Sequence, residues 1–252
     1  FHVVKNFSTM LEKAGFIKLN ERNKWKIEQG GKYYVTRNDS SIIAFQVPDN
    51  MEFYNFQIAA AHSDSPAFKI KENPEMVEDN NYVTLNVEKY GGMLMAPWFD
   101  RPLSVAGRVI VREDSGLKPV LVNVDRDLCV IPNLAIHMNR DVNNGIKYNP
   151  QKDMIPLFGE IASKDKFEKI IAMEAGTDAD SIVSADLFLY NREVGKIWGA
   201  DNEFMSAPRL DDVMCAFSCI KALTDNKENS KSVNVCAIFD NEEVGSTTKQ
   251  GA

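Results

Sequence analysis

The run Val233-Asn234-Val235-Cys236-Ala237-Ile238 leads directly into Phe239-Asp240-Asn241-Glu242-Glu243-Val244-Gly245-Ser246. It is rich in β-branched and apolar residues, so it reads as a buried strand that delivers two adjacent carboxylates to the carboxyl edge of a sheet. Open α/β sheets place their ligands at that edge. Successive side chains of a strand point to opposite faces, so neighbouring glutamates share one role only where the backbone turns. The natural division is one metal ligand and one base that takes a proton from the attacking water. An isolated Glu-Glu pair is more often a solvated strand end, so the rest of the chain has to decide between the two readings.

Two other stretches bear on that choice. Phe56-Gln57-Ile58-Ala59-Ala60-Ala61 reads as a strand running into His62-Ser63-Asp64-Ser65-Pro66. An imidazole at a strand end, with a carboxylate two residues on, suits a metal-binding histidine whose other ring nitrogen is held by Asp64. A hydrogen-bonded structural histidine is the alternative. Ala207-Pro208-Arg209-Leu210-Asp211-Asp212 precedes an apolar helix through Val213, Ala216, Ile220 and Leu223. Asp211 at a helix start is open to two readings, an N-cap or a carboxylate bridging two cations.

Between these stretches the chain is read by periodicity. Phe7, Met10, Leu11 and Ala14 predict an amphipathic helix ended by Gly15. Trp25 and Ile27 alternate with charged residues, and Gly30-Gly31 then separates them from Tyr33-Tyr34-Val35-Thr36, which predicts a hairpin. Ile42 to Val47 is another strand. From Gly91-Gly92 the texture turns to short β-rich runs, predicting a β-rich insertion over 93–200 between residues 1–92 and 201–252. Within it, Phe167, Ile170 and Ile171 predict a helix with Ser163 as a cap, Asn143-Asn144-Gly145 a turn, and His137 a core histidine in a mostly apolar run.

The chain has 252 residues, 44% of them hydrophobic, enough for one large domain or two modest ones. A net charge of -7 with interspersed signs argues against nucleic acid or an anionic membrane as the main partner. No apolar run approaches the about 20 residues needed to span a bilayer. The opening residues lack the pattern of a secretory signal. Cys129, Cys215, Cys219 and Cys236 sit in apolar surroundings without a Cys-x-x-Cys spacing, so they are expected to be reduced core residues of a cytoplasmic protein.

Taken in order, His62-Ser63-Asp64-Ser65-Pro66, Pro208-Arg209-Leu210-Asp211 and Asp240-Asn241-Glu242-Glu243-Val244-Gly245-Ser246 resemble the M18 family of metallo-aminopeptidases, the aspartyl aminopeptidase group. Ala96-Pro97-Trp98-Phe99-Asp100-Arg101, Asn133-Leu134-Ala135-Ile136-His137 and Phe1-His2-Val3-Val4 extend the match over essentially the whole chain. The resemblance implies an α/β catalytic domain interrupted by a β-rich dimerisation domain, with dimers building a dodecamer. It makes Asp211 the carboxylate shared by two zinc ions, His62 and Glu243 a ligand of one ion each, Glu242 the general base and Asp64 the residue that orients His62. Cobalt or manganese are alternative metals. His137 is implied either as a metal ligand or as a contact to the active site of a neighbouring subunit. The implied substrates are peptides with a free amino terminus, acidic first residues among those that the family accepts.

The family pattern also calls for an acidic ligand and a late histidine beyond Glu243, and Val244 to Ala252 contain neither. Because those ligands are absent and the chain stops soon after a central strand, the sequence is expected to be the amino-terminal part of a longer protein, lacking on the order of 150–200 residues. Phe1 is no natural start, so the numbering is expected to begin inside a longer polypeptide or after processing. The 252-residue chain alone is expected to be inactive. The competing expectations are a related two-zinc deacylase or carboxypeptidase, and a catalytically silent assembly protein.

Overall fold

A computed structural model describes residues 1–50, 52, 54–226 and 231–251. In chain order the elements begin with α1 (His2–Lys13), β1 (Ile17–Lys18), β2 (Lys32–Arg37), β3 (Ser41–Gln46), β4 (Asn55–His62), β5 (Ala67–Glu78) and β6 (Tyr82–Tyr90). There follow β7 (Leu103–Glu113), β8 (Gly116–Asn123), β9 (Leu157–Glu160), α2 (Phe167–Ala175) and β10 (Ile182–Asn191). The last are β11 (Lys196–Trp198), β12 (Phe204–Ser206), α3 (Leu210–Asp225) and β13 (Ser232–Phe239). Contacts divide the chain into two units, residues 1–65 with 209–252, and residues 66–208.

The first unit is a five-stranded mixed sheet in the order β1-β2-β3-β13-β4. β13 pairs parallel to β4 and antiparallel to β3. On one face, Val4, Phe7 and Leu11 of α1 and Ala216, Ile220 and Leu223 of α3 form a single core with Tyr34, Ile42, Cys236 and Ile238 of the sheet. Both helices meet the sheet through residues spaced three and four apart, the apolar stripe that a period of 3.6 requires. Parallel strands need cover on both faces. β13 has that cover, whereas Phe56 and Ile58 on β4 are 60% and 67% exposed.

One expectation for this unit is corrected. Residues 24–28 form no strand, and the hairpin is β2–β3, turning through Asn38 and Asp39, both at positive φ. Asparagine and aspartate tolerate that backbone region better than most residues, so they compete with Gly30-Gly31 as turn signals. The two-unit division falls at Pro66 and Arg209, away from residues 92 and 200.

The second unit is an antiparallel six-stranded sheet, β8-β7-β10-β5-β6-β9, with a separate ribbon β11–β12. Its core gathers Phe68, Leu85, Val105, Val109 and Leu189 around Phe167 and Ile171 of α2. α2 is not capped by Ser163, which lies in a short 3-10 turn. Instead, the Glu75 carboxylate accepts hydrogen bonds from the amides of Asp165 and Phe167 at 2.6 and 2.7 Å, an acidic group at a helix amino terminus. The His137 segment is likewise corrected. Residues 133–138 are exposed, with a turn over 136–138, so His137 is no core histidine. Gly145 closes the predicted turn at φ 105°.

Candidate metal centre

The site rests on the pairing of β4 with β13. The parallel register sets His62 opposite Phe239, so both strands finish at the same level of the sheet. The amide of Ser63 donates to the carbonyl of Phe239 at 2.8 Å, which carries the alignment one residue past the strands. Beyond Phe239 the backbone turns. Asn241 and Gly245 both take the left-handed conformation, and a 3-10 turn over Glu242–Val244 lies between them. That turn lets adjacent glutamates escape the alternation of a strand and face the same edge.

α3 brings the third contribution. Asp211 and Asp212 depart from helical dihedrals, and neither side chain caps the helix. Asp211 is therefore not the N-cap that one of its two readings offered. Its side chain is 87% exposed, and its Oδ1 lies 3.2 Å from His62 Nε2. Two donors on one tetrahedral zinc, each bonded at about 2.0–2.1 Å, stand about 3.3 Å apart. The observed separation therefore leaves room for an ion held between them.

Asp64 ties the pieces together. Its side chain is 7% exposed, with Oδ1 3.3 Å from His62 Nδ1. The two carboxylate oxygens accept the amides of Glu242 at 3.3 Å and Glu243 at 3.2 Å. His62 Nδ1 also lies 3.1 Å from the Asp64 carbonyl, a contact that leaves Nε2 facing the carboxylates. One acidic side chain thus connects the end of β4 with the turn after β13.

The donor atoms of His62, Asp211 and Glu243 lie within 4.8 Å of one another. One nitrogen and two carboxylate oxygens form a donor set that suits zinc. Glu242 stands beside the group, its Oε2 3.9 Å from His62 Nε2. Burial opposes the imidazolium of His62, but Asp64, Asp212 and Glu242 outweigh it and hold the pKa above its ordinary value. Burial, with Asp64 nearby, pushes the Glu243 carboxyl up. Asp240 is also raised by burial. Crowded carboxylates with raised pKa values are the electrostatic mark of a site that a cation would relieve.

Of the residues expected from sequence, His62, Asp64, Asp211, Glu242 and Glu243 come together in the first unit. His137 belongs to the second unit. Asp212 was visible as half of the Asp211-Asp212 doublet but had no role assigned. It accepts the amide of His62 at 3.2 Å. All four cysteines are free; Cys129 and Cys236 are buried, whereas Cys215 is exposed, contrary to the expectation of four core thiols. Among the described residues no helix is long and apolar enough to cross a membrane.

A mixed sheet presenting histidine, aspartate and glutamate donors beside a free glutamate at its carboxyl edge has the make of a metallohydrolase. Comparison with known proteins narrows that class. The model of the Aminopeptidase I zinc metalloprotease (M18) family matches residues 1–252. A probable M18 family aminopeptidase 2 of Clostridium acetobutylicum is 51% identical over all of this chain and 60% of its own length. One from Pseudomonas aeruginosa is 38% identical with the same coverage. Among solved structures, Chaetomium thermophilum mApe1 superposes with a TM-score of 0.91 at 34% identity, covering 100% of this chain and 61% of that one. The Saccharomyces cerevisiae mApe1 dodecamer gives 0.83 at 28%, covering 99% and 59%. The chain belongs to the M18 family of zinc metalloproteases. It spans about 60% of the length of the curated relatives it matches.

Proposed function

We propose that the protein works as a zinc-dependent aminopeptidase, with the site at the ends of β4 and β13 as its catalytic centre. The observation that carries this reading is the convergence of His62, Asp211 and Glu243 within 4.8 Å, beside Glu242, in a chain of this family. His62, Asp211 and Glu243 would hold the zinc, and Asp211 would serve both ions if a pair is bound. Cobalt or manganese can replace zinc. Bound zinc supplies Lewis acidity toward the scissile carbonyl and makes a nearby water more acidic.

Glu242 takes the proton from the attacking water and returns it to the departing amine. Its half-exposed side chain suits that work, because the proton has to pass between solvent, base and leaving group. Asp64 keeps His62 oriented and fixes the amides on either side of the base. The exposed carboxylates of Asp211 and Glu242 draw in the positive charge of a free amino terminus. That attraction favours removal of the first residue over cleavage within a chain. Acidic first residues are among the substrates proposed.

Among the described residues the three donors are enough to hold one ion but not two at the usual three protein ligands each, and the 252 residues by themselves are proposed to turn over no peptide. Self-association into dimers and then a dodecamer is proposed from the relatives, one of which is a dodecamer. The second unit, as the dimerisation domain, would present the exposed His137 to a neighbouring subunit's site. The four free thiols support a cytoplasmic setting.

Zinc titration of the metal-stripped protein, followed by calorimetry, tests the reading. Wild type and Glu242→Gln are expected to bind, and Asp211→Asn to bind at least tenfold more weakly. Absence of binding by the wild type would leave the silent assembly protein in its place. Turnover of amino-acetylated peptides in preference to free ones would favour the deacylase.

A further inference from the structure

We infer that Asp212 is a positioning residue for the metal centre, the brace that sets Asp211 against His62. This rests on the proposed metal centre. The two aspartates are adjacent, but their surroundings differ. The Asp211 side chain is 87% exposed and directed at the imidazole, whereas that of Asp212 is 18% exposed. Asp212 Oδ2 accepts the main-chain amide of His62 at 3.2 Å, and the same oxygen is 3.9 Å from Nε2. That oxygen is engaged with the backbone, and Asp212 stands outside the three-residue donor group.

The start of α3 needs such a tie. The dihedrals of Asp211 and Asp212 (φ -85°, ψ 113° and φ -118°, ψ 20°) take this turn out of the regular helix, and no side chain caps it. Two hydrogen bonds tie it to the end of β4 and the residues after it, Ser65 Oγ to the Asp211 carbonyl at 3.1 Å and the His62 amide to Asp212. The second is made by a charged acceptor, the stronger kind. It also takes up an amide at the end of an edge strand, where no further strand among the described residues supplies a carbonyl. Without it, the 3.2 Å spacing between Asp211 Oδ1 and His62 Nε2 loses a direct link from the residue next to Asp211 to the backbone of His62.

Cobalt(II) is the probe, titrated into the metal-stripped protein, with affinity read by competition against a chromophoric chelator and geometry by the visible absorption band. Asp212→Asn keeps an oxygen for the His62 amide and is expected to bind within about threefold of wild type with the same band. Asp212→Ala is expected to bind about 10–100-fold more weakly, the usual loss when a group supporting a ligand is removed, and to shift the band. Wild-type affinity and spectrum in Asp212→Ala overturn the role, as does Asp212→Asn falling as far as Asp212→Ala. Should the alanine variant not fold, the asparagine variant decides alone: retained affinity and band support the brace, and their loss removes it. A wild type that binds no cobalt would instead sink the metal centre itself, a result distinct from the variant outcomes.

Discussion

Replacing Asp64 by asparagine should separate two effects that cancel in the metal-free protein and part company when zinc is present. The carboxylate accepts two amides, from Glu242 and Glu243. Asparagine offers one oxygen and one amino group, so one of those amides loses its acceptor, at a cost of about 1–3 kcal/mol. Against this, the Asp64 charge pushes up the carboxyls of Asp240 and Glu243, behind the larger effect of burial. Removing the charge relieves that repulsion. Unit charges about 4 Å apart repel by about 1 kcal/mol in water and about 4 kcal/mol at the effective dielectric of a protein surface, so the relief is of the same order as the loss. In chelator the two should leave stability within about 1 kcal/mol of wild type. With zinc bound the repulsion is already neutralised, and the lost hydrogen bond shows in full. A 10–100-fold weaker zinc affinity lowers the stabilisation by saturating zinc by about 1.4–2.7 kcal/mol. Urea unfolding of both proteins, in chelator and in excess zinc, measures all four quantities. A variant losing more than about 3 kcal/mol in chelator while keeping the wild-type zinc increment would refute the account of Asp64 as a brace among carboxylates.

Three further outcomes follow from the same coordinates. Tyr34 is fully buried and donates to Glu12 at 2.6 Å; burial first, then Glu12, push its pKa from 10.0 up to about 12. The folded state holds this proton more tightly than the unfolded chain, so the contribution is complete below about pH 10 and is lost as pH rises toward 12. The loss is about 2–3 kcal/mol, and urea midpoints at pH 9 and 11.5 should differ less in Tyr34→Phe than in wild type. Iodoacetamide should label Cys215 first, although its hydrogen bond to Asp212 raises its pKa, while Cys129 and Cys236, buried and pushed up to about 12, stay unlabelled until unfolding. Peptide mapping reads the order. Ile220→Ala, at a fully buried position of α3, should cost about 2–5 kcal/mol in urea unfolding; a cost below 1 kcal/mol would contradict the packing of α3 on the sheet.

What the sequence reveals of this molecule depends on how local each cause is. β13, β4 and α3 are legible because a buried strand and a helix stripe each write their period into a few consecutive residues. β5 is not, because charged residues and Pro74 interrupt its apolar pattern where its register against β6 shifts between Ile70 and Glu75. A strand tolerates proline only at such an irregularity or an edge, so the feature that makes the strand possible also hides it. The site shows the same limit. His62, Asp211, Glu242 and Glu243 stand out by residue type and by their place at element ends. Their convergence depends on β4 pairing in parallel with β13, His62 against Phe239, across a separation in sequence that no local pattern records. Asp64 and Asp212 then hold that convergence through main-chain amides of residues distant in sequence. A side chain that grips a backbone amide leaves no mark on the identity of the residue it grips. Candidate ligands, and Asp64 as the partner of His62, can therefore be nominated from the chain, but the hold of Asp64 and Asp212 on distant amides becomes apparent only once the strands are paired.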